Sequence, residues 1–458
     1  MKKQYDAIIL GAGQAAPPLA ARLAGKEGLK TALIEMSELG GSCVNEGCTP
    51  TKTMIASARA AHMARRGADF GVQTGAVQVD MQVVNRRVVE RIEASRGGLS
   101  GWLGSFEKLD ILRGRGQFEG PNTIRVGDEL LEAPRIFINT GTRPRGGIDG
   151  LESVPYLTNR EILQLTEIPE HLVVVGGSYI GLEFAQAFRR FGSQVTVVDR
   201  RKRLLGREDA DISDWIRKIM ENEGIAVRTA SECIKIMPHP TGVKIGLECA
   251  ASDKQVVGTH LLVAVGRQPN SDGIGLEKAG IASNPQGYIT VDERLETNIP
   301  GVWALGDVNG RGAFTHTSWN DFEIVEDILF GSDTRRVSDR FMTYGLFIDP
   351  PLGRVGMTEQ QARATGRRVL VGVKQMAHIG RARERDEIQG MIKVLVDAES
   401  DRFLGAAVLG IGGDEIIGSI TNLMYADISC REFRKSVHVH PTVTELLPFI
   451  LDELVSLE

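Results

Sequence analysis

Apolar residues fall along this chain in short unbroken runs separated by glycine turns, with amphipathic stretches between them. Residues 5–10, YDAIIL, have the length and continuity of a strand buried on both faces. Gly11-Ala12-Gly13-Gln14-Ala15-Ala16 follows, then a helical run to about Ala24 and a second strand, KTALIE, ending in Glu35. Gly11 permits a tight turn, Gly13 lets a pyrophosphate approach the backbone, and Ala16 is small enough for close helix-strand packing. Pro17 and Pro18 fall in the helix's first turn, where N–H groups lack intrahelical partners. Glu35 lies about 20 residues past the glycines, where a carboxylate accepts from a ribose hydroxyl.

The same order recurs. LVVVGGSYIGLEFAQAFRRFGSQVTVVD reads as strand, Gly176-Gly177-Ser178-Tyr179-Ile180-Gly181, helix, strand and Asp199. Two such units predict two dinucleotides. Ser178 stands where the middle glycine would be, a minor departure. Asp199 favours a free ribose diol, whereas Arg200, Arg201 and Arg203 suit either a 2′-phosphate or a solvated turn, so the choice between NADH and NADPH stays open.

Between and beyond these units the pattern continues. Residues 80–104 predict a packed helix with one solvated face. Strands follow at about 109–138 and run into Thr140 and Gly141, and LLVAVGRQPN (261–270), with Gly266, closes the second unit. GVWALGDV (301–308) is another buried strand, whose Asp307 suits either a sugar hydroxyl or a helix cap. Phe314-Thr315-His316-Thr317 opens a helix whose N-terminal dipole suits an electron-rich ring, unless His316 is only a cap. From about 339 the pattern turns to mixed α+β with a hairpin. The fold class predicted is α/β, with two Rossmann-like dinucleotide-binding domains followed by a C-terminal α+β domain.

Length and charge narrow the function. A chain of 458 residues supports two to four domains. Five cysteines in that length exclude a secreted disulfide scaffold, point to a reducing cytoplasm, and leave Cys233, Cys249 and Cys430 as free buried thiols. The net charge of −5, without a long basic cluster, predicts neither nucleic-acid binding nor an electrostatic membrane anchor. No signal-peptide core forms at the start, and no apolar run reaches the roughly 18 residues of a membrane span.

Chemistry concentrates in Gly41-Ser42-Cys43-Val44-Asn45-Glu46-Gly47-Cys48-Thr49-Pro50-Thr51-Lys52. A disulfide closing so small a loop contributes only about 2 kcal/mol of unfolded-state restraint, which is poor stapling. The glycines beside each sulfur nevertheless let the pair close. Cys48 precedes a strong helix-forming run, and a helix N-terminus favours its thiolate, so the pair suits electron transfer. Near the end, His440 and Glu445 straddle Pro441. The carboxylate can hold one imidazole nitrogen and leave the other free for proton transfer to a departing thiolate.

G-x-G-x-x-A, GGSCVNEGCTPTK, GGSYIGLE, VGRQPN, ALGDV and HVHPTVTE, in this order, resemble the flavin-dependent pyridine nucleotide-disulfide oxidoreductases, the family of dihydrolipoamide dehydrogenase, glutathione reductase and mercuric reductase. The resemblance implies an FAD-binding domain in two parts, 1–149 and 272–338, an NAD(P)-binding domain at 150–271, and a dimerisation domain at 339–458. It assigns FAD to Gly11, Gly13, Ala16, Glu35, Gly41, Ser42, Lys52, Thr140, Gly141, Gly306, Asp307, Thr315 and His316. NAD(P)H goes to Gly176, Ser178, Gly181, Asp199, Arg200, Arg201 and Gly266. Catalysis goes to Cys43, Cys48, His440, Glu445, Lys52 and Glu183, with Lys52 paired to Glu183 beside the flavin. In that scheme Cys48 faces the flavin, Cys43 is the interchange thiol, and His440 enters the active site of the other subunit of a homodimer. The implied acceptor is a small disulfide, or a dithiol in reverse. Metal ions or quinones, or a redox sensor with little turnover, are the alternatives. GRVGMTE and SWNDFEIV look mercuric-reductase-like, but the chain ends in LDELVSLE without that enzyme's cysteine pair, so specific mercury reduction is not expected.

Overall fold

In the computed structural model, which describes residues 2–231, 234–247 and 255–457, the first apolar run forms strand β1 (Ala7–Leu10), all of it buried. Its parallel neighbours are β2 (Thr31–Glu35), with Ile9 opposite Leu33, and β4 (Ile136–Ile138), with Ile8 opposite Ile136. β3 (Leu109–Arg113) extends the sheet beyond β2, and the strand Val302–Ala304 extends it beyond β4. The sheet thus takes in chain from both sides of the second unit. Helix α1 (Ala16–Ala20) starts with both prolines in its first turn, as expected, and continues as a wider turn through Lys26.

The second unit is a separate parallel sheet. Its strands lie in the order β7 (Ala226–Arg228), β6 (Gln194–Val198), β5 (His171–Val175), β8 (His260–Val263). Helix α5 (Tyr179–Phe191) packs on it through Leu182, Phe184 and Phe188, all essentially inaccessible. The C-terminal quarter forms an antiparallel sheet from β9 (Thr343–Leu346), β10 (Leu352–Gly356), β11 (Val369–Gln375), β12 (Met391–Asp397), β13 (Phe403–Leu409) and β14 (Val455–Ser456). Here β12 and β13 are the expected hairpin.

The cysteine stretch becomes two helices, α2 (Gly41–Asn45) and α3 (Cys48–Arg65). Helix α4 (Met81–Gly104) is capped by Asp80, whose carboxylate accepts from the N–H groups of Gln82 and Val83 at 2.9 and 3.1 Å. Its buried Met81, Val84 and Val88 share one core with Met54 and Ala58 of α3 and Leu182 of α5. That core fixes α3 against α5. No helix among the described residues is long and apolar enough to cross a membrane. Cys430 is a buried free thiol, while Cys233 and Cys249 lie outside the described residues.

A buried ion lattice joins the second unit to the C-terminal sheet. Arg354 on β10 pairs with Glu208 and, at 2.8 Å, with Asp209, both just before α6 (Ala210–Asn222); all three side chains are at most 2% exposed. Asp209, Asp211 and Glu359 converge as a metal ion would require, but the Lys393 ammonium sits among them, 2.6 Å from Asp211.

Candidate active site

A cleft of about 1450 Å³ runs between the two nucleotide units and the C-terminal sheet. From the first unit it is lined by Gly13, Glu35, Gly41, Ser42, Thr140, Gly141 and Asp307, and from the second by Gly176, Ser178, Asp199, Arg200, Arg201 and Gly266. Cys43, Cys48, Lys52, Glu183, Thr315 and His316 lie between them. One cavity therefore gathers residues separated by most of the chain.

Four of the expected residues stand behind the wall. Gly11 has φ of +95°, and a Cβ there would lie 2.5 Å from the Asn139 carbonyl oxygen, so the turn requires glycine. Gly181 lies against the carbonyl of Gly176, where a Cβ would come within 1.9 Å; this is where α5 closes on its strand. Ala16 is fully buried, and the Gly306 N–H donates to Asp321 at 2.7 Å.

Both strand-end acids hold their own glycine loops. Glu35 accepts from the Ala12 N–H at 2.7 Å and the Ser37 N–H at 2.8 Å. Asp199, buried, accepts from the N–H groups of Gly177 and Arg201, each at 2.7 Å. Arg200 and Arg201 line the same part of the cleft, and Arg203 lies 3.7 Å from Asp214 on the surface. Asp307 accepts from the Thr142 hydroxyl at 2.8 Å instead of capping a helix, and burial raises its pKa.

A dinucleotide fits the first unit on observations independent of the glycine pattern. The Asn139 Oδ1 and Thr140 Oγ1 atoms are buried at the cleft without a hydrogen-bond partner. Polar atoms in that condition are costly unless a ligand satisfies them. Gly13 packs so closely on Asn139 that a Cβ would lie 2.6 Å from Oδ1, so this position too requires glycine.

The sulfurs are chemically unequal. Cys43 is half-buried and the Cys48 sulfur is not bonded to it. Cys48 opens α3, and its Sγ lies 3.4 Å from the Thr315 hydroxyl at the start of α7 (Thr315–Phe330). The hydrogen bond from the Cys43 thiol, then the Thr315 hydroxyl and the Lys52 ammonium, hold the Cys48 pKa down at about 6 against the cost of desolvation. The same contact with Cys48, followed by burial, pushes Cys43 well up. These contacts favour the thiolate at Cys48 over Cys43.

Lys52 reaches Glu183 at 2.7 Å and lies over the Phe347 ring, 4.5 Å from its centre. The Glu183 carboxylate, 5% exposed, also accepts from the Phe347 N–H at 3.0 Å. His316, read as facing a ring at its helix terminus, donates from Nε2 to the Thr343 carbonyl at 2.5 Å and stacks on Phe314.

His440 and Glu445 meet as their spacing suggests, with Nδ1 donating to Glu445 at 2.9 Å. The His440 side chain is 81% exposed, and neither residue lines the cleft of its own chain. Two further residues escaped the sequence reading. Arg267 donates to the Thr142 hydroxyl at 2.8 Å, the Thr142 carbonyl at 2.7 Å and Ser42 at 3.3 Å, tying the second unit to the first. An arginine directly after the apolar strand and glycine of LLVAVG was the available signal. The other is Tyr344, whose hydroxyl donates to Glu208 from the cleft wall.

Comparison with known proteins agrees with this geometry. The pyridine nucleotide-disulphide oxidoreductase profile matches residues 5–321, and the dimerisation domain of that family matches 342–448. The chain is 36% identical to the probable pyridine nucleotide-disulfide oxidoreductase RclA of Escherichia coli, over 97% of this chain and 98% of that one. It is 33% identical to the dihydrolipoyl dehydrogenase of Thermus scotoductus (97% and 96% covered) and 31% identical to the mercuric reductase of Streptomyces lividans (97% and 94% covered). The solved Cu(II) complex of the HOCl-induced flavoprotein disulfide reductase RclA from Escherichia coli superposes with a TM-score of 0.89 at 35% identity, covering 99% of this chain and all of that one. The chain belongs to the pyridine nucleotide-disulphide oxidoreductase family: it is an FAD-dependent oxidoreductase that draws electrons from NAD(P)H and carries the family's dimerisation domain.

Proposed function

We propose that the enzyme delivers electrons through the Cys43 and Cys48 pair to a small disulfide, with Cys43 as the attacking sulfur and Cys48 as the thiolate beside the flavin. The observation that carries this reading is the inequality of the two sulfurs, with Lys52 and Glu183 acting on Cys48 and the Thr315 hydroxyl 3.4 Å from its sulfur. Glu35, Asn139, Thr140 and Asp307 would hold FAD in the first unit, where it would supply two-electron transfer between nicotinamide and dithiol. Gly176, Ser178, Arg200 and Arg201 would hold NAD(P)H. Lys52 is held by Glu183 and brings a fixed positive charge to the cleft.

The dithiol then acts through its own atoms. The Cys43 sulfur, losing its proton, attacks one sulfur of the acceptor and breaks its S–S bond, and the departing thiolate takes a proton. His440 of the partner subunit supplies that proton, because Glu445 occupies its Nδ1 and leaves Nε2 free. The Cys48 thiolate next attacks the Cys43 sulfur, releases the second half of the acceptor as a thiolate and closes the Cys43–Cys48 disulfide. Two electrons have left the pair. With a dithiol substrate the steps reverse. The reading divides the chain at residues 149, 271 and 338 and places the enzyme in a reducing cytoplasm as a homodimer.

The test is an acceptor screen with NADH and NADPH, using lipoamide, glutathione disulfide, quinones and Cu(II). Turnover with a disulfide that Cys43→Ser abolishes is expected. Turnover with quinone alone, untouched by Cys43→Ser, would overturn the proposal.

A further inference from the structure

A box of aromatic rings stands where the nucleotide side of the cleft meets the thiols. Phe314 lies parallel to Tyr344, with ring centres 5.6 Å and planes 12° apart, and parallel to His316 at 5.3 Å and 7°. Tyr179 meets Phe314 and Tyr344 edge-on at 5.7 and 5.6 Å. The residue after Phe314 is Thr315, the hydroxyl partner of Cys48. Behind the box, the Tyr344 hydroxyl donates to Glu208, whose carboxylate is also held by the fully buried Arg354. A continuous path therefore runs from a buried ion lattice through one phenol to the residue beside Thr315.

Resting on the reading that Cys48 is the flavin-side thiolate, we propose that Tyr344, aimed by Glu208, is a positioning residue that clamps Phe314 and so keeps the Thr315 hydroxyl on the Cys48 sulfur. A hydrogen bond to an anion weakens steeply as its distance and angle degrade, so the hydroxyl is effective only while its backbone is held still. Phe314 precedes the first turn of α7, where the backbone lacks helical hydrogen bonds on its N-terminal side. Its N–H donates to the Thr317 hydroxyl at 3.1 Å, and its carbonyl accepts from that hydroxyl at 2.7 Å and from the Ser318 N–H at 3.0 Å. The ring contacts fix the side chain, and with it the direction in which the chain enters the helix. The groups facing Cys48 are Cys43 from α2, Lys52 from α3, Glu183 from α5 and Thr315 from α7, while His316 on α7 is turned to the Thr343 carbonyl. Of these, Thr315 is the one that a loosened Phe314 displaces directly.

The test titrates the long-wavelength thiolate-to-flavin absorbance of the reduced holoenzyme against pH. Wild type, Tyr344→Phe, Tyr344→Ala, Glu208→Gln, Thr315→Val and the Tyr344→Ala/Thr315→Val double variant are compared, with Tm recorded for each. Wild type should lose the band as pH falls through about 6. Thr315→Val should move that midpoint up to about 7, the scale of losing one hydrogen bond to an anion. Tyr344→Ala should move it in the same direction, Tyr344→Phe by less, and Glu208→Gln, which keeps an acceptor for the phenol, least. The double variant should match Thr315→Val, because both changes act through one hydroxyl. A wild-type midpoint in both Tyr344 variants, or shifts that add in the double variant, would overturn the positioning role and leave the Cys48 reading intact. If Tyr344→Ala does not fold, an unmoved Tyr344→Phe midpoint decides against the proposal. Absence of the band from wild type would instead remove the Cys48 reading, and this role with it.

Discussion

Replacing Asp199 by alanine separates two ways of reading a strand-end acid. If the carboxylate mainly repels a 2′-phosphate, Asp199→Ala should trade NADH for NADPH. The geometry points elsewhere, since both oxygens accept backbone N–H groups, from Gly177 and Arg201, each at 2.7 Å. A hydrogen bond to a charged acceptor is worth roughly 1.5–3 kcal/mol, so losing two removes about 3 kcal/mol or more of restraint from the nucleotide loop. If most of that must be restored on binding, the cost is about 100-fold in Kd, at 1.4 kcal/mol per tenfold. The assay is equilibrium titration of both nucleotides against the oxidised holoenzyme, with FAD occupancy and Tm recorded. NADH and NADPH should weaken together, within about threefold of each other. Weaker NADH with tighter NADPH would refute the reasoning and restore the repulsion reading. Arg200→Ala with Arg201→Ala should weaken NADPH more than NADH, since these cationic side chains face the cleft.

Other consequences can be checked on the same preparation. His440→Ala should lose about 100-fold or more in kcat/KM with a disulfide and keep most quinone activity, because a quinone leaves no thiolate to protonate. Equal losses would make His440 a structural or interface residue. Arg354→Leu leaves the buried Glu208 without its cation and Asp209 with only Lys393, 3.7 Å away; about 3–5 kcal/mol is at stake and Tm should fall by about 10 °C, whereas an unchanged Tm would show the lattice to be dispensable.

How far the sequence carries depends on whether a property is local. The strand, glycine turn and helix of each unit follow from period and residue type within about 30 positions, and the structure has them as read. The partners of Glu35 and Asp199 were not legible, because the loop's path decides which N–H groups turn towards the carboxylate. Asp307 had two readings from sequence, and the one contact that excludes a helix cap, with Thr142, comes from 165 positions away. Thr315 was placed towards the flavin, and its hydroxyl lies on Cys48 because α3 and α7 meet end to end. Pairing of Lys52 with Glu183 came from the family resemblance and rests physically on the packing of α3 against α5. Glu208 and Asp209 were not singled out in the sequence, and their side chains are buried because the C-terminal sheet closes over them through Arg354.

The central claim is that Cys48, and not Cys43, carries the thiolate beside FAD. It is tested most directly by anaerobic titration of the yellow holoenzyme with NADH or NADPH while absorbance is followed beyond the main flavin bands. The account predicts a long-wavelength band in wild type that disappears as pH falls through about 6; in Cys43→Ser, which has no disulfide to accept electrons, the band stands in the oxidised enzyme before any nucleotide is added, and Cys48→Ser abolishes it. A band abolished by Cys43→Ser and retained by Cys48→Ser would contradict it.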